Sequence, residues 1–222
     1  MLALPALERV YTDVLGAHGM TLIAYLPSAI FLISVFSQGE PVRSLDALRR
    51  RKLRVFSADL EPTFKRLGVD ARFIPQPELY DALASGRVDS TIYPACHTVW
   101  SVPLWRVTQH AAYLFAETLP PNVLAMATSR WAALSEPSRR VFERAARAIY
   151  PEYLRISLNA SAEWSARYTL EAGGLIWHPD FSAADQDVFA ASADTTWADL
   201  AAAAGDAGLA ARRSVLAAMT AG

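Results

Sequence analysis

Between Ser44 and Pro94 the chain alternates strand-like and helix-like segments, and this alternation limits the fold more than any other feature of the sequence. Lys52–Phe56 (KLRVF) is a short β-branched and aromatic run. Asp59 is placed to cap a following helix whose Leu60, Phe64 and Leu67 share one face and which Gly68 ends. Ala71–Pro75 (ARFIP) reads as a second strand. Pro77–Ser85 reads as a second helix, with Leu79 and Leu83 turned inward and Gly86 at its stop. Ser90–Tyr93 is a third strand. Strands joined by single helices of this length imply parallel βαβ units and an α/β fold. Ligands of such sheets lie beyond the carboxyl ends of the strands. That rule selects Arg54, Phe56, Ser57, Gln76, Tyr93 and His97 as candidate site residues.

The 222 residues are 53% hydrophobic, enough for one large domain or two small ones. A net charge of −1 gives no general attraction to nucleic acid or to an anionic membrane surface. The single cysteine, Cys96, allows no intrachain disulfide. No Cys/His cluster has metal-site spacing, and no cofactor is implied. Glu8, Arg9 and Asp13 interrupt the N-terminal stretch where the apolar core of a secretory signal belongs. The uncharged run Gly19–Gly39 is long enough to raise a membrane span, but Pro27 and Ser28 divide it. It reads better as two buried strands, Met20–Tyr25 and Phe31–Phe36.

Elsewhere, Leu7–His18 reads as a helix, Ser37–Pro41 as a turn, and Ser44 as the cap of a short helix. The Arg49–Lys52 cluster suits the solvated C-terminus of that helix better than a nucleic-acid patch. Ala111–Ala116 and Asn122–Thr128 are strand-like. Ser135 opens a helix, which Pro151 is expected to kink or divide and which continues to Ala172. Leu175–His178 is one more strand. The tail predicts two or three alanine-rich helices, over Ala183–Ala193, Thr195–Ala204 and Gly208–Thr220.

No catalytic constellation emerges. The sequence holds no Gly-rich phosphate loop, GxSxG, HExxH or CxxC. Cys96 and His97 are sequence neighbours and so point to different sides, a poor nucleophile–base pair. Arg54 stands out as a cation inside an apolar strand. Two readings are open for it. Its donor fork suits a carboxylate ligand held bidentately, and an arginine at a sheet edge, paired with a surface acid such as Asp89 or simply solvated, would also explain it. Tyr93 is the aromatic best suited to a wet cleft, because its hydroxyl needs a polar end. Trp131, Trp164, Trp177 and Trp197 read as packing residues.

Several ordered segments carry a family resemblance. They are SLDALRRRKLRV, FKRLGVDARFIPQPELYDALASGRVDSTIYP, NVLAMATSRWAALSEPSRRVFERAA and LEAGGLIWHPDFSAADQDVFAA. Together they resemble the solute-binding subunits of TRAP (tripartite ATP-independent periplasmic) transporters. The resemblance implies a periplasmic-binding-protein-like (type II), two-domain venus-flytrap fold with a long kinked helix, holding a ligand between domains and closing on a hinge. It implies a binding protein rather than an enzyme, a periplasmic location, and TRAP membrane subunits as partners. Arg54 falls on the family's carboxylate-binding arginine. Tyr93 stands where the family has an asparagine before proline, Ser90 where it has a glycine, and Gln76 where it often has an aromatic residue. One arginine with a tyrosine and apolar neighbours suits a small organic acid, a monocarboxylate with an apolar body, better than a small dicarboxylate.

Against the family pattern the chain begins late, so the first domain is expected to be incomplete. Residues 1–30 and 120–158 are expected to form what remains of it, and residues 31–119 and 159–222 the second domain. Without the missing half the sheet edge of the first domain would be exposed. The alternative reading is a truncated binding-fold module acting in protein interaction or sensing. A membrane-attached protein using Thr21–Phe36 is a third.

Overall fold

Two serines start helical segments of the central stretch, and two glycines in left-handed conformation end others. In the computed structural model, which describes residues 5–26, 31–94, 102–118, 122–171 and 175–220, Ser44 Oγ accepts the Ala47 amide and caps α2 (Leu45–Leu48). Strand β3 (Lys52–Val55) follows. The next cap is Ser57, not Asp59: its Oγ accepts the Asp59 amide, opening a 3-10 turn that leads into α3 (Glu61–Arg66). The reason is position, since the turn begins at Ala58 and only the residue before it can present a side chain to the free amides. Gly68, at φ 79°, turns the chain into β4 (Asp70–Phe73). A second 3-10 turn leads into α4 (Leu79–Ala84), Gly86 ends it at φ 71°, and β5 (Ser90–Pro94) closes the stretch.

The described residues divide into two units, 30–118 with 159–199, and 1–29 with 119–158 and 200–222. The first of these is built on a six-stranded sheet in the order β4-β3-β5-β2-β6-β8. Here β2 is Phe31–Ser37, β6 is His110–Thr118 and β8 is Ile176–Trp177. Strands β4, β3 and β5 run parallel, as their helical crossovers require. Strand β2 is antiparallel to both β5 and β6, so the sheet is mixed.

Alternation sends side chains to two layers. Val35, Leu53, Val55 and Ile92 pack with Leu45, Leu48, Phe64, Phe181 and Phe189 on one face. Full burial of a side chain such as Phe64 contributes about 1.5–3 kcal/mol. Phe36 and Tyr93 pack with Leu79, Leu83, Val102, Leu104 and Trp177 on the other.

Helix α7 (Ala183–Ala203) is continuous where the sequence suggests a break near Asp194. Its hydroxyls explain the difference. Thr195 Oγ1 and Thr196 Oγ1 donate to carbonyls one turn back, at 3.0 and 3.1 Å, and Ser192 Oγ donates to Thr63 O on α3 at 2.8 Å. The tail is therefore two helices, α7 and α8 (Gly205–Thr220), turned at Gly205 with φ 70°.

The other unit has one two-stranded antiparallel sheet, β1 (Met20–Leu26) with β7 (Asn122–Ala127). All of β1 is only half-buried, so this strand is not the buried one that its composition suggests. Helix α1 (Pro5–Ala17) packs on β1 and on α8, and Tyr11 meets Tyr25 at 5.6 Å between ring centres. Helix α5 (Thr128–Ala133) follows β7 directly, and Trp131 meets Phe142 of α6 (Glu136–Glu171) at 6.2 Å. Helix α6 runs through Pro151 without ending; its residues to Leu158 belong to this unit. Val141, Ile149 and Ile156 stand exposed on it. Among the described residues no helix is long and apolar enough to cross a membrane, and the Gly19–Gly39 run supplies strands instead.

Candidate functional site

Leu53 and Val55 take the core face of β3, which leaves Arg54 on the opposite face with Phe36, Thr91 and Tyr93. Strand β3 lies between β4 and β5, so Arg54 is interior and only 1% exposed. The sheet-edge reading is thereby excluded. Asp89, its suggested partner, instead accepts the Lys52 backbone amide at 3.0 Å.

Arg54 Nε donates to the carbonyl of Ile74 at 2.9 Å, which fixes the guanidinium plane. Its Cζ lies 5.9 Å from the centre of the Tyr93 ring, a cation–π contact. Its Nη1 is buried and has no hydrogen-bond partner. Burial lowers the guanidinium pKa to about 10, opposed by the nearby Tyr93 hydroxyl. The group therefore stays cationic at neutral pH, with the two N–H donors of Nη1 unspent. Leaving such a donor unpaired costs about 1–3 kcal/mol or more for a charged group, which an anionic acceptor would recover.

Arg54 lines a cavity of about 430 Å³ with Phe56, Phe73, Pro75, Gln76, Tyr93 and Pro94. Four of the residues selected from sequence, Arg54, Phe56, Gln76 and Tyr93, thus meet at one place. Ser57 is not among the lining residues; its hydroxyl serves the turn that starts at Ala58. His97 lies outside the described residues, as do Cys96 and Trp100. Phe73, Pro75 and Pro94 were not selected. Phe73 and Pro94 end β4 and β5, so the same carboxyl-end rule would have found them.

Among the described residues the lining offers one buried cation, an amide, a phenol and apolar surface. Phe56 and Phe73 are each 41% exposed, an unusual amount for phenylalanine beside a cavity. A larger hollow of about 970 Å³ runs along α6, between Glu136 and Ala148. It contains no buried polar group, and its Glu136 is paired with Arg140. Among the described residues no group of three or more His, Cys, Asp or Glu could hold a metal ion.

Residues 4–203 match the family model described as bacterial extracellular solute-binding protein, family 7. No curated protein matches the sequence. Among solved structures, the chain is similar to the periplasmic ectoine-binding protein of the TeaABC TRAP transporter of Halomonas elongata. The TM-score is 0.83 and the identity 18%, covering 98% of this chain and 68% of that one. It is similar to a marine-metagenome TRAP solute-binding protein specific for pyroglutamate, with TM-score 0.74, 20% identity and coverage of 95% and 66%. A TRAP periplasmic solute-binding protein from Desulfovibrio salexigens, solved with orotic acid, matches at TM-score 0.77 and 21% identity, over 93% and 64% of the two chains. The chain thus spans about two thirds of the length of these structures. At these identities the likeness is one of fold.

Proposed function

The chain belongs to family 7 of the bacterial extracellular solute-binding proteins, and on that premise we propose that it captures an organic-acid carboxylate and delivers it to the membrane subunits of a TRAP transporter. The single observation that carries this reading is Arg54, a buried cation whose Nη1 has no hydrogen-bond partner and whose side chain belongs to the lining of a cavity. An arginine fork matches a carboxylate bidentately, and the match is strong where water is excluded. The apolar remainder of the wall favours a monocarboxylate with an apolar body, because a second carboxylate would need a second cation. Three of the similar structures hold pyroglutamate, malonate and orotic acid, which accords with an acid ligand. The protein acts by binding and release, without catalysis and outside the cytoplasm.

Titration calorimetry with short monocarboxylates tests this. Arg54→Met is expected to lose about 2–5 kcal/mol of binding, the usual loss when one partner of a buried charge pair is removed. Unchanged binding in that variant overturns the reading. A second reading, a binding-fold module in protein interaction or sensing, is favoured by the exposed Val141, Ile149 and Ile156 of α6. It would take the place of the first if no carboxylate bound at all.

A further inference from the structure

A second cavity adjoins the first. Its volume is about 360 Å³ and its walls are Gln76, Pro77, Tyr80, Val102 and Pro103. Gln76 lines both. It opens the 3-10 turn before α4 and is exposed, so it stands as a threshold between the two spaces and not as a buried wall. The chemistry changes across it. Arg54 lines the first cavity, whereas among the described residues the second has no charged wall and offers a phenol and three apolar side chains. Sites for small ligands run from about 300 to 1,000 Å³, so either space alone is near the lower limit and the pair is well within the range.

From this we infer that the ligand is an extended monocarboxylate. Its carboxylate meets Arg54, and its apolar tail passes Gln76 into the cavity walled by Pro77, Tyr80, Val102 and Pro103. This deepens the carboxylate reading and rests on it. The second cavity then acts as a length gauge. A compact acid fills only the first space. An arylalkanoate or medium-chain alkanoate fills both and buries the apolar walls, each added methylene contributing to affinity as it leaves water. Glu78 ends this turn and is paired with Arg87, and neither lines either cavity, so no charge among the described lining residues of the second cavity opposes the tail.

The experiment is a calorimetric series of phenylacetate, phenylpropionate and phenylbutyrate, with acetate, octanoate and succinate alongside. The expected result is affinity rising about tenfold or more from phenylacetate to phenylbutyrate. Tyr80→Trp, which fills the second cavity, is expected to abolish that rise and leave phenylacetate within about twofold of the unaltered protein. Pro77→Phe, at an exposed position on the same wall, gives the same readout should Tyr80→Trp fail to fold. If short and long acids bind equally, or if the filling variants weaken every acid alike, the second-cavity assignment is overturned while the Arg54 reading stands. If no acid binds, or if Arg54→Met binds all of them unchanged, the carboxylate reading falls and this inference with it.

Discussion

If Arg54 holds the ligand as proposed, stability and function pull apart at this residue. An arginine that is 1% exposed, with its Nη1 amino group unpaired, opposes folding. Replacing a buried charge by an apolar side chain of similar volume is often neutral or stabilising by about 1–4 kcal/mol. Arg54→Met is therefore expected to unfold at the same or a higher temperature while losing its ligand; a fall of several degrees would show instead that Ile74 O and Tyr93 need the guanidinium for the fold. Sequence alone identified this arginine because a cation inside an apolar strand is conspicuous. It could not decide between an edge and an interior strand, because that depends on pairing with β4 and β5 from elsewhere in the chain. A second residue, His178, makes a pH prediction. Its Nε2 lies 3.0 Å from His110 Nδ1, beside the parallel pairing of β8 with β6. Burial, then the charges of His110 and Arg43, lower its pKa below the ordinary 6.5. The folded protein therefore binds this proton less readily than the unfolded chain. The resulting stability is complete above about pH 6.5 and is lost as pH falls through the lowered value. Urea midpoints measured at neutral and at mildly acidic pH should decline with acid, and His178→Gln should flatten the decline; an unaltered slope in the variant would remove His178 as the cause.

At the scale of elements, the local signals of residues 44–94 were legible because each is written in a few adjacent residues: Ser44 as a cap, Gly68 and Gly86 as stops, alternating apolar residues as strands. The insertion of antiparallel β2 between β5 and β6 was not legible, since no local pattern records a pairing such as Val35 with Ile92 and Ala112. Nor was the continuity of α7. The segment Ser192–Thr196 reads as a breaker by composition, yet its hydroxyls bond within the helix and to α3, where Thr63 Oγ1 donates to Thr196 Oγ1 at 2.7 Å. The turn from α7 to α8 is tighter than its alanines and glycines suggest. A Cβ added at Gly208 would lie 2.4 Å from Ala201 O and 2.6 Å from Ala204 Cβ. Gly208→Ala should thus cost about 1–3 kcal/mol despite the better helix propensity of alanine. A raised or unchanged denaturation midpoint would mean that the turn relaxes freely.

For the whole molecule, the two units differ in how much holds them. One has six strands with apolar layers on both faces. The other has two strands, neither fully buried, and a sheet of two strands is marginal unless something packs on it. Hydrogen exchange should reflect this, with amides of β2, β3 and β5 exchanging orders of magnitude more slowly than those of β1 and β7; equal protection would indicate one cooperative block. The division of the chain also has a temporal side. The polypeptide passes from one unit to the other at residues 29/30, 118/119, 158/159 and 199/200. On a ribosome, Met20 would leave the exit tunnel long before Ala127, with which it pairs, and α1 before α8, against which it packs. Strand β1 is thus made well before its partner and stays unpaired until β7 follows it out, as α1 waits for α8.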